Sequence, residues 1–415
     1  FDLENWGWIK GLLGYKEGTL ETADAQIRDE YASLRKFYDR KEKEWISTRD
    51  QRRRNKLNTD MRWADDRMNT IKRRQLIDFL ATHTVIPKYG FPVDVVELTP
   101  LSHIKESKNI RLERDLRIAI SEFAPGSQVV ANGYIWESAG LKVVKDRALD
   151  EYWFVVCHNC RRFDKERRTS DTSSLKECKG CGYKFSKNDI KTFITPIFGF
   201  VTSRELEPPK PGESRPKREF TTRPYFFDYQ EPKEEEFNIG KLKINCRYSS
   251  HGELAVICKG KKGAGFHICF KCGAAFSKRP KSNTHKTPIG EECSSLSLRG
   301  YLHLGHTFTT DVLTISLEEY TFDNGRTDQS FWYSLLYAIL EGVNQALGIR
   351  RQDLDGCLYP YEGRIALVLF DNVPGGAGHV KRIMDKQNLY EVLKSALDRV
   401  KNCTCGPETS CYGCL

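Results

Sequence analysis

CHNCRRFDKERRTSDTSSLKECKGCGYKF, residues 157–185, decides how the middle of this chain folds. Two Cys-x-x-Cys pairs, Cys157/Cys160 and Cys178/Cys181, flank a charged, serine-containing stretch of hairpin length, which is the spacing of a zinc ribbon. A further knuckle follows at Cys269/Cys272 in HICFKCGAAF, with His285 and Cys293 placed to close a Cys3His site. Cys246 and Cys258 are alternative ligands for the position given to His285. A last group, Cys403, Cys405, Cys411 and Cys414, is packed into CTCGPETSCYGC. Zn2+ at these sites takes up eleven of the fourteen cysteines and one histidine, leaving Cys246, Cys258 and Cys357. Four protein ligands leave no open coordination position, so the sites are expected to hold loops in place and not to carry chemistry.

Disulfides are the rival reading of the same cysteines, and an unligated tail is the rival for the last group. The chain is large, rich in Lys and Glu, and shows no secretory segment at its start, which favours metal in a reducing, cytoplasmic setting. No apolar run approaches the length of a bilayer, so no membrane partner is expected. The formal charge of +10 favours polyanions, DNA foremost. At 415 residues there is room for two or three domains, and the ends, at Phe1 and Leu415, are those expected of a piece cut from a longer protein.

The pattern along the chain divides it into a basic helical segment at 1–84, a β-rich region at 85–236 that carries the ribbon at 157–181, and an α/β zinc-binding domain at 237–415. The fold class is mixed, α+β with α/β. From Thr22 to Leu80 there is neither glycine nor proline, and Tyr31, Leu34 and Tyr38 share one helical face. Arg52, Arg53, Arg54, Lys72, Arg73 and Arg74 make this segment basic, either as a solvated face or as phosphate contacts. Pro87, Gly90 and Pro92 end it. Residues 109–144 read as strands turning at Pro125-Gly126, and KLKINCRYSSHGELAVIC (241–258) as a hairpin turning at Gly252. The Pro-rich, basic 208–226 is too poor in apolar residues to be core. Lys259, Lys261 and Lys262 lie in a Gly/Lys-rich turn and are further candidate phosphate contacts.

In the last third, strand-like HTFTTDVLTISLEEY and RIALVLFD alternate with helical SFWYSLLYAILEGVNQALGI and GHVKRIMDKQNLYEVLKSALDRV, which argues for a βαβ element. Phe331, Trp332 and Tyr333 read as core in preference to base-stacking platforms. FDNVPGGAGHV (370–380) sits at a strand-to-helix turn, where backbone N–H groups can cradle a phosphate or simply close a tight turn. Asp371 and His379 there form either an acid/base pair or a satisfied hydrogen-bond pair, and with Asp311 and Glu341 they could surround a divalent ion in a nuclease. Nothing forces those four together. The chain has no GxxxxGK[ST] motif and no DExH box, so it is not expected to hydrolyse ATP itself, and no catalytic residue is assigned.

RDLRIAISEFAPGSQVV, TTRPYF, the HxTPxGxxC context of His285 and Cys293, LHLGHTFTTDVLTI, LFDNVPGGAGHV and CTCGPETSCYGC together resemble the C-terminal, MrfA-type zinc-binding region of bacterial superfamily-two DEAD/DEAH helicases. Similar modules occur in MrfA-like repair helicases, in DruE of Druantia and in DrmB of DISARM. VIPKYGFPVDVVEL resembles the junction that follows the motor in the larger defence helicases, so the likeness runs from about Val85 to Leu415. The resemblance implies an accessory region that guides DNA beside ATP-binding, ATP-hydrolysing motor domains in the same or a partner chain, serving antiviral defence or DNA repair. It places Cys403, Cys405, Cys411 and Cys414 at metal-binding cysteines of that domain. A DrmB-like scaffold that docks a separate helicase subunit is the alternative.

Overall fold

The computed structural model describes residues 19–73, 95–102, 110–143, 149–169, 173–203, 209–212, 219–282, 284–317, 329–361, 364–373 and 375–405. The chain forms two compact units, Phe1–Val93 and Asp94–Leu415. Among its described residues the first holds two helices, α1 (Thr19–Ser47) and α2 (Gln51–Arg73). Asp50 starts α2 by accepting the Arg52 N–H at 2.9 Å, satisfying a donor that no helical carbonyl can reach. Leu34 and Phe37 of α1 and Leu57, Ala64 and Met68 of α2 are buried at helical spacing, and Lys41 reaches Asp60 across the pair at 3.6 Å. Of the expected face, Leu34 is core while Tyr31 and Tyr38 are half-buried.

The second unit opens with β1 (Val95–Thr99), β2 (Glu113–Asp115), α3 (Leu116–Glu122), β3 (Gln128–Ala131) and β4 (Tyr134–Leu141). Next come β5 (Glu151–Val156), β6 (Phe163–Arg167), β7 (Lys191–Ile194), β8 (Phe200–Thr202), β9 (Thr222–Tyr229), β10 (Lys233–Ile239), β11 (Leu242–Cys258) and β12 (Phe266–Cys269). The remainder is β13 (Ala275–Phe276), β14 (Thr284–Lys286), β15 (Glu292–Ser294), β16 (Leu298–Leu317), α4 (Gln329–Leu347), β17 (Leu354–Tyr361), β18 (Arg364–Asp371) and α5 (Lys386–Lys401). A five-stranded sheet runs β2-β1-β8-β4-β3, and β14 pairs with β15 alone. Eleven strands, drawn from β5 through β18, share one larger sheet. The architecture is thus α+β, with helices first, a β-rich body and helices again at the end.

Three local expectations give way to tertiary context. Residues 116–122 form α3, not a strand: Asp115 caps it by accepting the Arg117 N–H, and Leu116, Ala119 and Ile120 fill the core. Gly252 turns no hairpin. Residues 242–258 are one strand, β11, whose two halves both pair with β16 across a bulge between Ser249 and Gly252. A Cβ on Gly252 would lie 2.1 Å from Val312, so the glycine marks close approach and not a turn. The βαβ element forms only in split form: RIALVLFD (β18) does not run parallel to β16 but lies antiparallel between β16 and β17, and β16 and β17, joined through α4, therefore run parallel to each other. Long β-branched strands bury both faces in either arrangement, so the apolar pattern does not distinguish them. On one face of this sheet α4 and α5 pack Trp332, Leu336, Ile339, Leu389 and Val392 against Leu313, Ile315, Leu367 and Leu369. Trp332 is core as expected; Phe331 and Tyr333 are not, being exposed on the outer side of α4.

Candidate metal centres

Both Cys-x-x-Cys turns of the ribbon, and the turn at Cys269, close with the same backbone bonds. The N–H of the residue after the second cysteine donates to the carbonyl of the first: Arg161 to Cys157 at 3.0 Å, Gly182 to Cys178 at 2.9 Å and Gly273 to Cys269 at 2.8 Å. The first cysteine's own N–H donates one residue further on, to Arg162, Tyr183 and Ala274 in turn. Arg161, Gly182 and Gly273 are all left-handed, at φ 67°, 70° and 80°. This geometry turns the two thiols of each pair to the same side.

In the ribbon, Cys157 at the end of β5 and Cys160 before β6 meet Cys178 and Cys181. Sγ–Sγ separations are 3.6 Å for Cys157–Cys181 and 3.4 Å for Cys160–Cys178, and all four sulfurs lie within 4.8 Å of one another. A tetrahedron of thiolates at a Zn–S distance of about 2.3 Å has edges of about 3.8 Å, which these separations match. They are far longer than a covalent S–S bond of about 2.05 Å, and these cysteines are unpaired, so the disulfide reading fails here. The second tetrad is Cys269, Cys272, His285 and Cys293, again within 4.8 Å, with Cys272 Sγ 3.2 Å from His285 Nε2. His285 on β14 is directly across from Cys293 on β15, so a two-stranded ladder delivers both to the knuckle. Cys246 and Cys258 are instead buried in β11, where desolvation pushes their thiols up to about 12 and about 11.

The donors have the chemistry zinc requires. Burial raises the Cys160, Cys178, Cys272 and Cys293 thiols, because desolvation disfavours the charged thiolate. Burial also raises Cys181, but hydrogen bonds from the Tyr183 backbone and Asn159 outweigh it, leaving that thiol at about 7. Desolvation lowers the His285 pKa and keeps its imidazole neutral, as a ligand must be. A divalent cation at the centre of each tetrad reverses the penalty on the thiolates. Zinc is therefore the cofactor these donor sets support, in closed, structural sites.

Each tetrad is tied to chain distant in sequence. Gly140 of β4 contacts the second knuckle so closely that a Cβ would sit 2.1 Å from the Gly273 carbonyl, which accepts the Leu141 N–H at 2.9 Å. The knuckle thus joins the five-stranded sheet to the larger one. At the ribbon, Arg162 lies against Gly180, donates to Asp164 at 3.4 Å, and reaches Tyr359 Oη on β17 at 2.8 Å. The spacing of the cysteines carries no signal for Arg162. Of the last group, Cys403 and Cys405 lie with their sulfurs 3.2 Å apart just after α5, while Cys411 and Cys414 lie outside the described residues.

The remaining candidates are dispersed. Arg52 and Arg53 are exposed on α2, Arg54 stacks over Trp45 at 5.0 Å, and Lys72 lies over Tyr31 at 5.4 Å. The Arg73 side chain and all of Arg74 are outside the described residues. Lys261 pairs with Glu219 at 2.9 Å, Lys262 is exposed, and Lys259 is half-buried over Tyr225 at 5.1 Å. The glycine-rich loop at 375–380 cradles the protein's own carboxylates. Asp371 accepts the N–H groups of Ala377, His379 and Val380 at 2.7–3.0 Å, and Asp311 accepts that of Gly378 at 2.7 Å. Those donors are taken, so the tight-turn reading holds over the phosphate cradle. Glu341 is held between Arg351 and Arg399, each at 3.4 Å. Among the described residues, Asp311, Glu341, Asp371 and His379 do not gather as a metal-binding group, and the nuclease arrangement is not formed.

Comparison with known proteins adds to this geometry. The chain is 26% identical over 388 residues to Druantia protein DruE of Escherichia coli (strain UMEA 4076-1), covering 82% of this chain and 20% of that protein. It therefore spans about a fifth of that relative's length. The crystal structure of the DUF1998 helicase MrfA bound to DNA aligns with 74% of this chain and 30% of its own, at 10% identity and a TM-score of 0.31. The same helicase bound to DNA and AMPPNP aligns with 75% and 28%, at 7% identity and a TM-score of 0.27. Residues 335–415 match the MrfA Zn-binding domain, a span that contains Cys403, Cys405, Cys411 and Cys414 but neither described tetrad. The C-terminal end of the chain, residues 335–415, is therefore similar to the MrfA Zn-binding domain.

Proposed function

We propose that this chain is a zinc-stabilised DNA-binding accessory region of an ATP-dependent superfamily-two DNA helicase in bacterial antiviral defence or DNA repair. The observation that carries the reading is the pairing of an MrfA Zn-binding domain with two tetrads that brace a cationic β-rich body. The ATP-binding and hydrolysing motor domains are supplied by the same polypeptide or a partner chain. Zinc fixes loops; exposed Lys and Arg, among them Arg52, Arg53 and Lys262, bind phosphate without reading sequence. Unpaired cysteines in a folded core suit a reducing cytoplasm. No helix in the described residues is long and apolar enough to cross a membrane. The test is binding of the chain to DNA of unrelated sequences as salt rises: affinity should be sequence-tolerant and fall steeply. Binding that ignores ionic strength would refute it.

A second reading, a scaffold that docks a separate helicase subunit, is favoured by one surface. Tyr390, Leu397 and Val400 lie exposed along one side of α5. Capture of a helicase subunit, lost on replacing these three by polar residues and accompanied by no DNA affinity, would select it.

A further inference from the structure

Three cations converge beside the first ribbon knuckle. Lys259 directly follows β11 and lies over the Tyr225 ring at 5.1 Å; Arg223 on β9 is paired across from Ile257 of β11, and Arg161 lies two residues before Phe163, whose ring stacks on Tyr225 at 5.0 Å. Burial first, then the charges of Arg223 and Arg161, lower the Lys259 pKa to about 8. Among the described residues none of the three forms an ion pair. Arg161 and Arg223 are exposed and Lys259 half-buried, whereas the more buried Arg247 and Arg162 pair with Glu234 and Asp164. Arg161 also holds the left-handed backbone that the other two Cys-x-x-Cys turns give to glycine.

Aromatic surface borders this cluster, because β17 packs against both β9 and α4. Tyr333 and Tyr337 on the outer side of α4 are 37% and 43% exposed, their rings stacked at 6.5 Å between centroids. Burial raises the phenols of Tyr225 and Tyr333, and in both the charge of Arg223 opposes the rise, so one guanidinium acts on both rings. Unneutralised cations beside exposed rings suit a ligand that offers phosphates and unpaired bases together. A duplex offers only the phosphates.

We propose that Arg161, Arg223 and Lys259 bind the phosphates of a single-stranded nucleic acid whose bases stack on Tyr333 and Tyr337. This deepens the DNA-binding reading above and rests on it. The test measures anisotropy of labelled oligothymidine, and of a duplex of equal length, with the zinc-loaded chain across a salt series. The triple variant Arg161→Gly, Arg223→Gln, Lys259→Gln should lose at least about ten-fold in single-strand affinity and flatten the salt slope by about 2. Tyr333→Leu with Tyr337→Leu should weaken single-strand binding about ten-fold and leave duplex binding unchanged. Arg161→Gly alone should weaken binding without lowering the melting temperature, a combination that misfolding does not produce. If the wild type binds and the triple variant matches it in affinity and slope, this surface is wrong while the DNA reading stands. If the Tyr pair affects duplex and single strand equally, base stacking is wrong. A wild type with no DNA affinity overturns both readings.

Discussion

Arg161 and Gly182 occupy equivalent places in the two ribbon knuckles, each directly after the second cysteine and each left-handed, at φ 67° and 70°. The backbone bonds around them are the same, so the metal-binding turn sets the conformation and the side chain does not. For an L-residue that conformation costs on the order of 1 kcal/mol or more, and Arg161 bears it.

The turn geometry predicts a graded response to alanine. Gly182 has open space where a Cβ would go, so Gly182→Ala should cost only the left-handed backbone term, about 1 kcal/mol. At Gly273 the added Cβ would meet the Leu141 carbonyl at 2.1 Å, so Gly273→Ala should cost about 3 kcal/mol or more and loosen the junction of the two sheets. Chemical denaturation of both variants tests the order; equal losses would refute the close-approach argument.

Metal removal should be felt throughout the second unit. Metal analysis should give about three zinc ions per chain, and Cys269→Ser about one fewer. Structural zinc contributes roughly 10–16 kcal/mol in small finger peptides, so strong chelators should lower the melting temperature sharply, with re-addition restoring it. A chelated chain that melts as before would show the tetrads to be ordinary buried thiols.

Asp371 is a structural carboxylate. Asp371→Ala removes the acceptor for three backbone N–H groups and should destabilise the chain by about 3 kcal/mol. Magnesium-dependent DNA cleavage by the wild type, abolished by this substitution at unchanged stability, would overturn that assignment.

His303 is buried on β16, with no partner for Nδ1 among the described residues, and desolvation followed by the charge of Lys191 lowers its pKa to about 4. The unfolded chain therefore takes up this proton near pH 6.5, before the folded one does. At pH 7 the group is neutral in both states. Stability should fall as the pH drops from about 6.5 to 4, by about 3 kcal/mol from this residue. His303→Gln should remove that increment from the pH dependence measured by denaturant unfolding. Parallel curves for variant and wild type would contradict the shift.

Much of the site could be read along the chain because metal-ligand spacing is local. A Cys-x-x-Cys turn closes with bonds between near neighbours, so Cys157/Cys160, Cys178/Cys181 and Cys269/Cys272 identify themselves. The helical stretches at 19–73, 329–347 and 386–401 were legible for the same reason, since a helix bonds to itself. The choice of His285 over Cys246 and Cys258 needed the β14–β15 ladder, a pairing formed in three dimensions.

Sequence by itself determined which residue types can ligate zinc, where the long helices run, and that the chain is cationic, because those properties depend on residue type and short-range order. Tertiary structure alone decided that β11 continues through Gly252 instead of turning, that β18 inserts antiparallel between β16 and β17, and that the loop at 375–380 serves Asp371 and Asp311. It also brought Arg223 and Lys259, far apart along the chain, together through the pairing of β9 with β11. Strand pairing and charge convergence are relations between distant segments, and an apolar or basic pattern is equally compatible with several partners until packing selects one.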